Sequence, residues 1–380
     1  MNIYDCFMYF DEDLLLDLRL NSLDKFVKKF VITEATYTHN GSKKKLNFDI
    51  NRFKKFKDKI IYLVVDEQPK DIMNLSENDT SDEKGEKLIL NGMARDYFQR
   101  EKLLNGLKDA NQEDFILISD LDEIPDLNKL NLSEIKNNIV IFEQKMFYYK
   151  LNLFYEDYTW LGTKGVKRKN FISPQWLRNI KGKKYPKWRI DTFFSKQKYT
   201  NLHFIKNGGW HFTCLRTAEE LEKKLLNFAH HYEYEESGLS IDNLKKMIAE
   251  KRVMYDHNVD QKGYKWSGKS ILKNLNVEPE SLLIDGNYFK PYVNEDGDII
   301  QHECFVKGDD KFQSISAASI LAKVYHDEYI EKLVKEEPDL EEYGWLTNMC
   351  YGTKQHIETI HNKGLTKYHR KTFGICKEYI

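Results

Sequence analysis

The sequence has no Cys-x-x-Cys pair: its five cysteines, Cys6, Cys214, Cys304, Cys350 and Cys376, are scattered and odd in number. That spacing excludes a disulfide framework and a cysteine-built structural zinc site, and it fits thiols kept reduced in a cytoplasmic setting. An excess of charge of either sign is also missing. With 59 Lys and Arg against 60 Asp and Glu the formal net charge is −1, so the chain as a whole exerts no bulk pull on nucleic acid or an anionic membrane. No run approaches the roughly 18 apolar residues of a membrane helix. The N-terminus, Met1-Asn-Ile-Tyr-Asp-Cys-Phe-Met-Tyr-Phe, enters a strand-like run directly, without the basic and apolar stretches of a secretory signal. There is no internal repeat.

What is present suffices for two domains: 380 residues, 41% hydrophobic and 31% charged, with an aromatic share of 13% carried mostly by 23 Tyr and 22 Phe. Such rings serve core packing first, and the stacking of sugars or bases second. Over the first 150 residues strand-like runs (3–9, 26–33, 60–65, 115–119) alternate with helical ones (11–23, 52–59, 91–107). Short continuous apolar runs between helices predict a parallel sheet covered on both faces. Residues 67–86, rich in Asp, Glu, Ser, Asn and Lys, read as a surface loop. From 139 to 215 the pattern is aromatic and strand-rich, and Thr217-x-x-Glu220 has the spacing of a capping box opening a helix to about His231. Residues 264–270 are a polar break. Beyond it the reading is the end of a helix at 271–275, a strand at 281–285, and helices over 316–336 and 353–362. A boundary is expected near 270, dividing the chain into 1–270 and 271–380.

In an open α/β sheet ligands sit outside the carboxyl ends of the strands. Phe115-Ile-Leu-Ile-Ser119 delivers Asp120-Leu121-Asp122-Glu123 to such an edge. If extended geometry persists, Asp120 and Asp122 project to one side. Two hard carboxylates at that spacing suit a Mg²⁺ or Mn²⁺ ion that bridges substrate phosphates. An acidic tripeptide after a strand is also common on ordinary surfaces.

Five segments stand in order over residues 1 to about 265: Ile3-Tyr-Asp-Cys-Phe-Met-Tyr-Phe, Val31-Ile-Thr-Glu-Ala-Thr-Tyr-Thr-His-Asn-Gly41, Gln99-Arg100, Ile118-Ser-Asp-Leu-Asp-Glu-Ile-Pro125 and Gly208-Gly-Trp-His-Phe212. In them the chain resembles glycosyltransferase family 17, the family of the β-1,4-N-acetylglucosaminyltransferase that bisects N-glycans. The resemblance implies a GT-A-like, Rossmann-like mixed sheet with flanking helices, and inverting transfer of a sugar, N-acetylglucosamine in the namesake, from a nucleotide-sugar donor to a glycan acceptor. Asp122, with Asp120, would then hold Mn²⁺ or Mg²⁺ and the donor diphosphate. Glu34 would contact the nucleotide or be a solvated strand-end charge. Arg100 would pair with phosphate or form a surface salt bridge. His211 would be a third metal ligand or a core histidine, and Trp210 would stack on a sugar. The pair His230-His231 reads as helix surface. A carboxylate must take the acceptor proton. Glu123 is the candidate by proximity; Glu143, Asp157 and Asp191 are candidates by region.

Residues 271 to about 376 contain, in order, Leu282-Leu-Ile-Asp-Gly-Asn287, Val306-Lys-Gly-Asp309, Ser316-Ala-Ala-Ser-Ile-Leu-Ala-Lys323, Tyr351-Gly-Thr-Lys-Gln-His356 and His369-Arg-Lys-Thr-Phe373. By these segments the region resembles the second half of ribonuclease HII, which implies a partial ribonuclease H-like α/β fragment. The resemblance implies four carboxylates holding two metal ions against a phosphate of an RNA–DNA hybrid. Two of them fall at Asp285 and Asp309. Asp-Glu pairs stand upstream at Asp11-Glu12, Asp66-Glu67 and Asp122-Glu123, but none is followed by the Gly-Arg-Gly loop that the other two require. The alternative nuclease activity is therefore expected to be absent, and an inert fusion or binding module is the third reading. Tyr351, Lys354 and His356 are read as surface residues, with weak nucleic-acid contact as the alternative.

Overall fold

The computed structural model describes all residues except 134, 136–138, 187, 228–230, 259–264, 276–280, 295–296 and 380. The chain divides into two compact units, Met1–Asn276 and Val277–Ile380.

The first unit opens with strand β1 (Ile3–Met8), helix α1 (Asp13–Leu23), β2 (Val27–Ala35), a 3-10 segment Ile50–Lys59 and β3 (Ile60–Val65). Helix α2 (Ser81–Glu101) runs into the 3-10 turn Lys102–Leu107, then β4 (Phe115–Ile118) and β5 (Glu123–Pro125). The expected loop over 67–86 is therefore corrected at its end. Thr80 accepts from the Glu83 amide, and the Glu83 carboxylate accepts from that of Thr80 at 2.8 Å. This capping box starts a helix inside a stretch whose composition alone looks like loop. The long strands β6 (Ile139–Tyr148) and β7 (Leu153–Lys167) follow, then helices α3 (Pro174–Asn179) and α4 (Asp191–Phe194), and strands β8 (Leu202–Ile205) and β9 (Gly209–Thr213). Helices α5 (Ala218–Leu225), α6 (His231–Glu236) and α7 (Ile241–Ala249) and the short strand β10 (Lys273–Asn274) complete it.

The strands form one mixed sheet in the order β3-β2-β1-β4-β7-β6-β9-β5, with β8 added on β6 and β10 on β7. β3, β2, β1 and β4 are parallel; β7 runs against β4 and β6. All four residues of β4 are buried because both faces are covered. On one face α1 packs Leu16 and Leu20 against Phe30 and Phe142. On the other, Leu103, Leu107 and Leu177 meet Val31, Ile116 and Ile141. A further cluster joins Met146, Tyr148 and Tyr155 to Leu221, Leu225 and Leu244, which fixes α5 and α7 beside β6.

Three local readings are corrected. The helix opened by the Thr217–Glu220 box ends at Leu225, and α6 starts anew at His231. His231 is buried rather than on a surface, while His230 lies outside the described residues. Residues 271–275 are not helical: Leu272 and Leu275 give their amides to the carbonyls of Lys251 and Asn152, and β10 pairs antiparallel with Leu153 and Phe154.

The second unit holds β11 (Ser281–Asp285), β12 (Tyr292–Val293) and β13 (Ile299–Phe305) in the order β11-β13-β12. Helices α8 (Gly308–Lys311), α9 (Gln313–Glu336), α10 (Trp345–Asn348) and α11 (Lys354–Lys363) follow. Their core joins Ile330, Leu333 and Val334 to Trp345 and Ile360. Among the described residues β11 has β13 as its only strand partner, and it alternates exposed and half-buried side chains.

Candidate active site

The site is built on the turn between β4 and β5. Asp120, Leu121 and Asp122 occupy this turn rather than an extended run. Its shape is held from below by Arg19 of α1, whose side chain is fully buried. Arg19 donates from Nη1 to the carbonyls of Asp120 (3.1 Å), Leu121 (3.1 Å) and Glu123 (2.7 Å). From Nη2 it donates to Ser119 Oγ at 2.6 Å, and it forms a two-point ion pair with buried Asp5 at 2.6 and 2.8 Å. Six acceptor atoms on one planar fork leave the turn little freedom.

Above the turn lies a cavity of about 750 Å³ lined by residues of β1, α2, β6, β7, α3, β9 and α5, among others. Asp120 and Asp122 both face it but serve differently. Asp120 Oδ1 accepts from Arg100 at 3.2 Å and Oδ2 from Arg178 of α3 at 2.6 Å. Burial works against its charge, but Arg178, Arg100 and then His211 outweigh it and hold the carboxyl well below the usual range. Among the described residues no guanidinium pairs with Asp122; its Oδ1 stands 3.5 Å from His211 Nε2. Burial would lower the His211 pKa, and Asp122, with Glu123 and Asp120, reverses that and raises it. Trp160 of β7 gives its Nε1 hydrogen to Glu123 at 2.6 Å, which fixes the ring 4.7 Å from the His211 ring and 5.4 Å from that of His257. Burial, then the neighbouring His211, pushes His257 down to about 4, so it is neutral at physiological pH. Across the cavity Glu12, paired with Lys224 at 3.2 Å and Arg216 at 3.3 Å, is held at about 2: burial opposes its charge, and the two cations prevail.

The expected residues thus divide. Arg100, Asp120, Asp122 and His211 meet at one cavity. Arg100 is no surface ion-pair partner: it is buried, bonded to Asp96, Gln175 and Asp120. Glu123 is corrected from candidate base to anchor, since it is fully buried and accepts from Arg178, Trp160 and the Asp120 amide. Glu34 is neither solvated nor at the cavity. It is fully buried, pairs with Lys44, and accepts from the Asn47 and Phe48 amides and Tyr62. Trp210 does not line the cavity because it neighbours His211 on β9, and successive strand residues face opposite ways. Trp160 takes that place. Glu143, Asp157 and Asp191 do not line the cavity either, and Asp191 is engaged by Arg189 and Lys198. Sequence reasoning missed Arg178, Trp160 and His257, none of which stands in a motif.

The donor set fits a divalent ion in part. Two donors sharing one small cation lie about 3–3.5 Å apart, and Asp122 and His211 have that separation. The Nδ1 of His211 is buried without a hydrogen-bond partner among the described residues. Asp120, expected to hold the ion together with Asp122, has each oxygen on a guanidinium. Accordingly no group of three or more His, Cys, Asp or Glu among the described residues could hold a metal ion. Asp122 and His211 would contribute two positions, with substrate oxygens needed for others.

Beneath Arg178, Lys164 of β7 donates to the carbonyls of Arg178 at 2.5 Å and Ile180 at 2.6 Å. Burial, then the charge of Arg178, lowers its pKa from 10.5 to about 7. Between those values the unfolded chain binds more protons than the folded one, so this group makes stability rise with pH there. The difference in unfolding free energy between wild type and Lys164→Met is expected to grow in favour of wild type from pH 7 to 9, by chemical denaturation. A difference independent of pH would refute the assignment.

In the second unit Asp285 accepts from the Gly308 amide at 2.8 Å, next to Asp309, and both acids are exposed. His356 is corrected from surface to core: it is buried and bonded to Trp345, His369 and the Tyr351 carbonyl, while Tyr351 and Lys354 are exposed.

The family model of glycosyltransferase family 17 matches residues 1–283, and that of ribonuclease HII matches residues 216–376. The curated relatives found resemble the C-terminal region. Ribonuclease HII of Christiangramia forsetii is 47% identical over 109 residues, covering 29% of this chain and 51% of that protein. Ribonuclease HII of Parabacteroides distasonis is 50% identical over 109 residues, with the same 29% and 51% coverage. That of Pelagibacter ubique is 50% identical over 106 residues, 28% of this chain and 52% of its own length. The chain therefore spans about half the length of the curated relatives it matches. Among the described residues no helix is long and apolar enough to cross a membrane.

Proposed function

The chain belongs to glycosyltransferase family 17, and from that premise we propose that its cavity takes a nucleotide-sugar donor and moves the sugar to a glycan hydroxyl with inversion. N-acetylglucosamine is the sugar we assign. The observation that carries the reading is Asp122, held at the cavity wall by the Arg19 buttress and left without a guanidinium, beside His211 and the Trp160 ring. A divalent ion, Mn²⁺ or Mg²⁺, would supply charge neutralisation to the departing diphosphate.

The protein's own residues do the rest. Asp122 and His211 would hold the ion, and Arg100 and Arg178 keep Asp120 ionised and fix the turn. The Trp160 face, oriented by its bond to Glu123, supports a sugar ring in place of Trp210. The acid that takes the acceptor proton belongs, on this reading, to the cavity lining rather than to Glu143, Asp157 or Asp191. No nuclease activity is assigned to 277–380. Asp285 and Asp309 lie together, but two carboxylates are half of what two-metal hydrolysis by the resembling family needs.

The test is metal removal. Incubated with a panel of nucleotide sugars, UDP-N-acetylglucosamine first, the protein is expected to release nucleoside diphosphate in Mn²⁺ or Mg²⁺. Chelation with EDTA abolishes release and metal re-addition restores it. Release indifferent to EDTA sinks the metal role; no release from any donor sinks the reading.

A further inference from the structure

The near-neutral net charge hides a local imbalance. Residues 181–198 contain seven Lys or Arg and one Asp, a formal +6, so the remaining chain carries −7 against −1 for the whole. Among the described residues, the same segment presents the most exposed aromatic rings of the first unit. Trp188 is 80% exposed, Ile190 71% and Phe194 86%. Single exposed hydrophobics need no explanation, but three within seven residues, set among cations, do.

The segment is built rather than loose. The Lys181 amide donates to the Gln197 carbonyl at 2.9 Å, closing its base. Tyr185 is buried beneath it, with the Arg189 guanidinium 5.2 Å from its ring. Its one acid, Asp191, is neutralised by Arg189 at 2.6 Å and Lys198 at 2.7 Å. What projects are therefore three apolar side chains in a segment whose exposed Lys181, Lys183, Lys184 and Lys196 meet no acid among the described residues.

We propose that this segment docks the protein on the surface of an anionic lipid bilayer. Aromatic and aliphatic tips enter the headgroup–acyl boundary, and basic residues around them meet anionic headgroups, each adding to the attraction. Charge complementarity selects this partner over a second copy of the chain, whose matching segment would be equally positive. Nucleic acid fits less well. Six of the seven cations are lysines, point charges on long stems that can snorkel, and Ile190 has no face on which a base can stack. The segment follows α3, the helix that carries Arg178, so docking would bring a wall of the cavity close to membrane-borne acceptors. The docking itself does not depend on the transferase reading.

The full chain is sedimented with vesicles of phosphatidylcholine alone and with vesicles containing about one third phosphatidylglycerol. Binding to the anionic vesicles is expected to exceed that to neutral ones by about tenfold or more and to weaken as salt is raised. The double variant Trp188→Ser/Phe194→Ser, at two solvent-facing positions, keeps the wild-type thermal midpoint and loses about tenfold in vesicle binding. Equal binding to both vesicles, or a double variant that binds like wild type, overturns the proposal. So does binding of single-stranded RNA with indifference to vesicles, or self-association abolished by the double variant with indifference to vesicles.

Discussion

Arg19→Met is expected to cost about 3–5 kcal/mol of folding stability, the range for breaking a buried ion pair on one side. Asp5 and Arg19 are both fully buried, so the substitution strands a carboxylate that has no access to water. It also removes the donor shared by the carbonyls of Asp120, Leu121 and Glu123. Methionine fills most of the volume, which separates the electrostatic loss from a cavity effect. Chemical denaturation measures it. Asp5→Asn/Arg19→Met should recover part of the loss, because much of the cost belongs to the uncompensated charge. A loss below about 1 kcal/mol in the single variant would mean that the pair is not the buttress of the turn.

How far all this could be read from the sequence follows from where each signal resides. The strand Phe115–Ile118 was legible because burial on both faces writes itself as a continuous apolar run. The turn after it was legible through its acids and the ordered segments around it. Arg19 was not, since an arginine in a short helix looks solvated until a buried acid faces it. Arg178, Trp160 and His257 come from distant stretches and converge only because the sheet sets β7 beside β4 and β6 beside β9. Trp210 is a different kind of miss. Once His211 is placed toward the cavity, period-two alternation sends its strand neighbour the other way, an inference open to the sequence alone. The start of α2 was hidden for a compositional reason: Thr80 and Glu83 lie in a stretch whose polar residues mimic a loop, and the box they form is a pairing rather than a composition.

The Asp122→Asn variant separates the chemistry from this scaffold. Asp122 is partly exposed at the cavity wall, whereas Glu123 is sealed beneath it, so the amide is expected to leave the thermal midpoint near wild type. Under the proposed reaction it removes the one turn carboxylate not already held by arginine. Turnover of the nucleotide sugar should fall by about 10²–10³-fold, the scale of losing a preorganised electrostatic partner of the departing group, and more divalent ion should be needed for what remains. Asp120→Asn provides the contrast. Its carboxylate neutralises Arg100 and Arg178, so its loss leaves the buried Arg100 and the partly buried Arg178 less compensated and should lower stability as well as turnover. Both variants are read by nucleotide release over a Mn²⁺ titration, alongside thermal melting. If Asp122→Asn keeps turnover within about threefold of wild type, less than loss of a transition-state contact allows, the donor diphosphate is held elsewhere in the cavity. A collapse of its melting midpoint would instead assign Asp122 to the scaffold with Glu123.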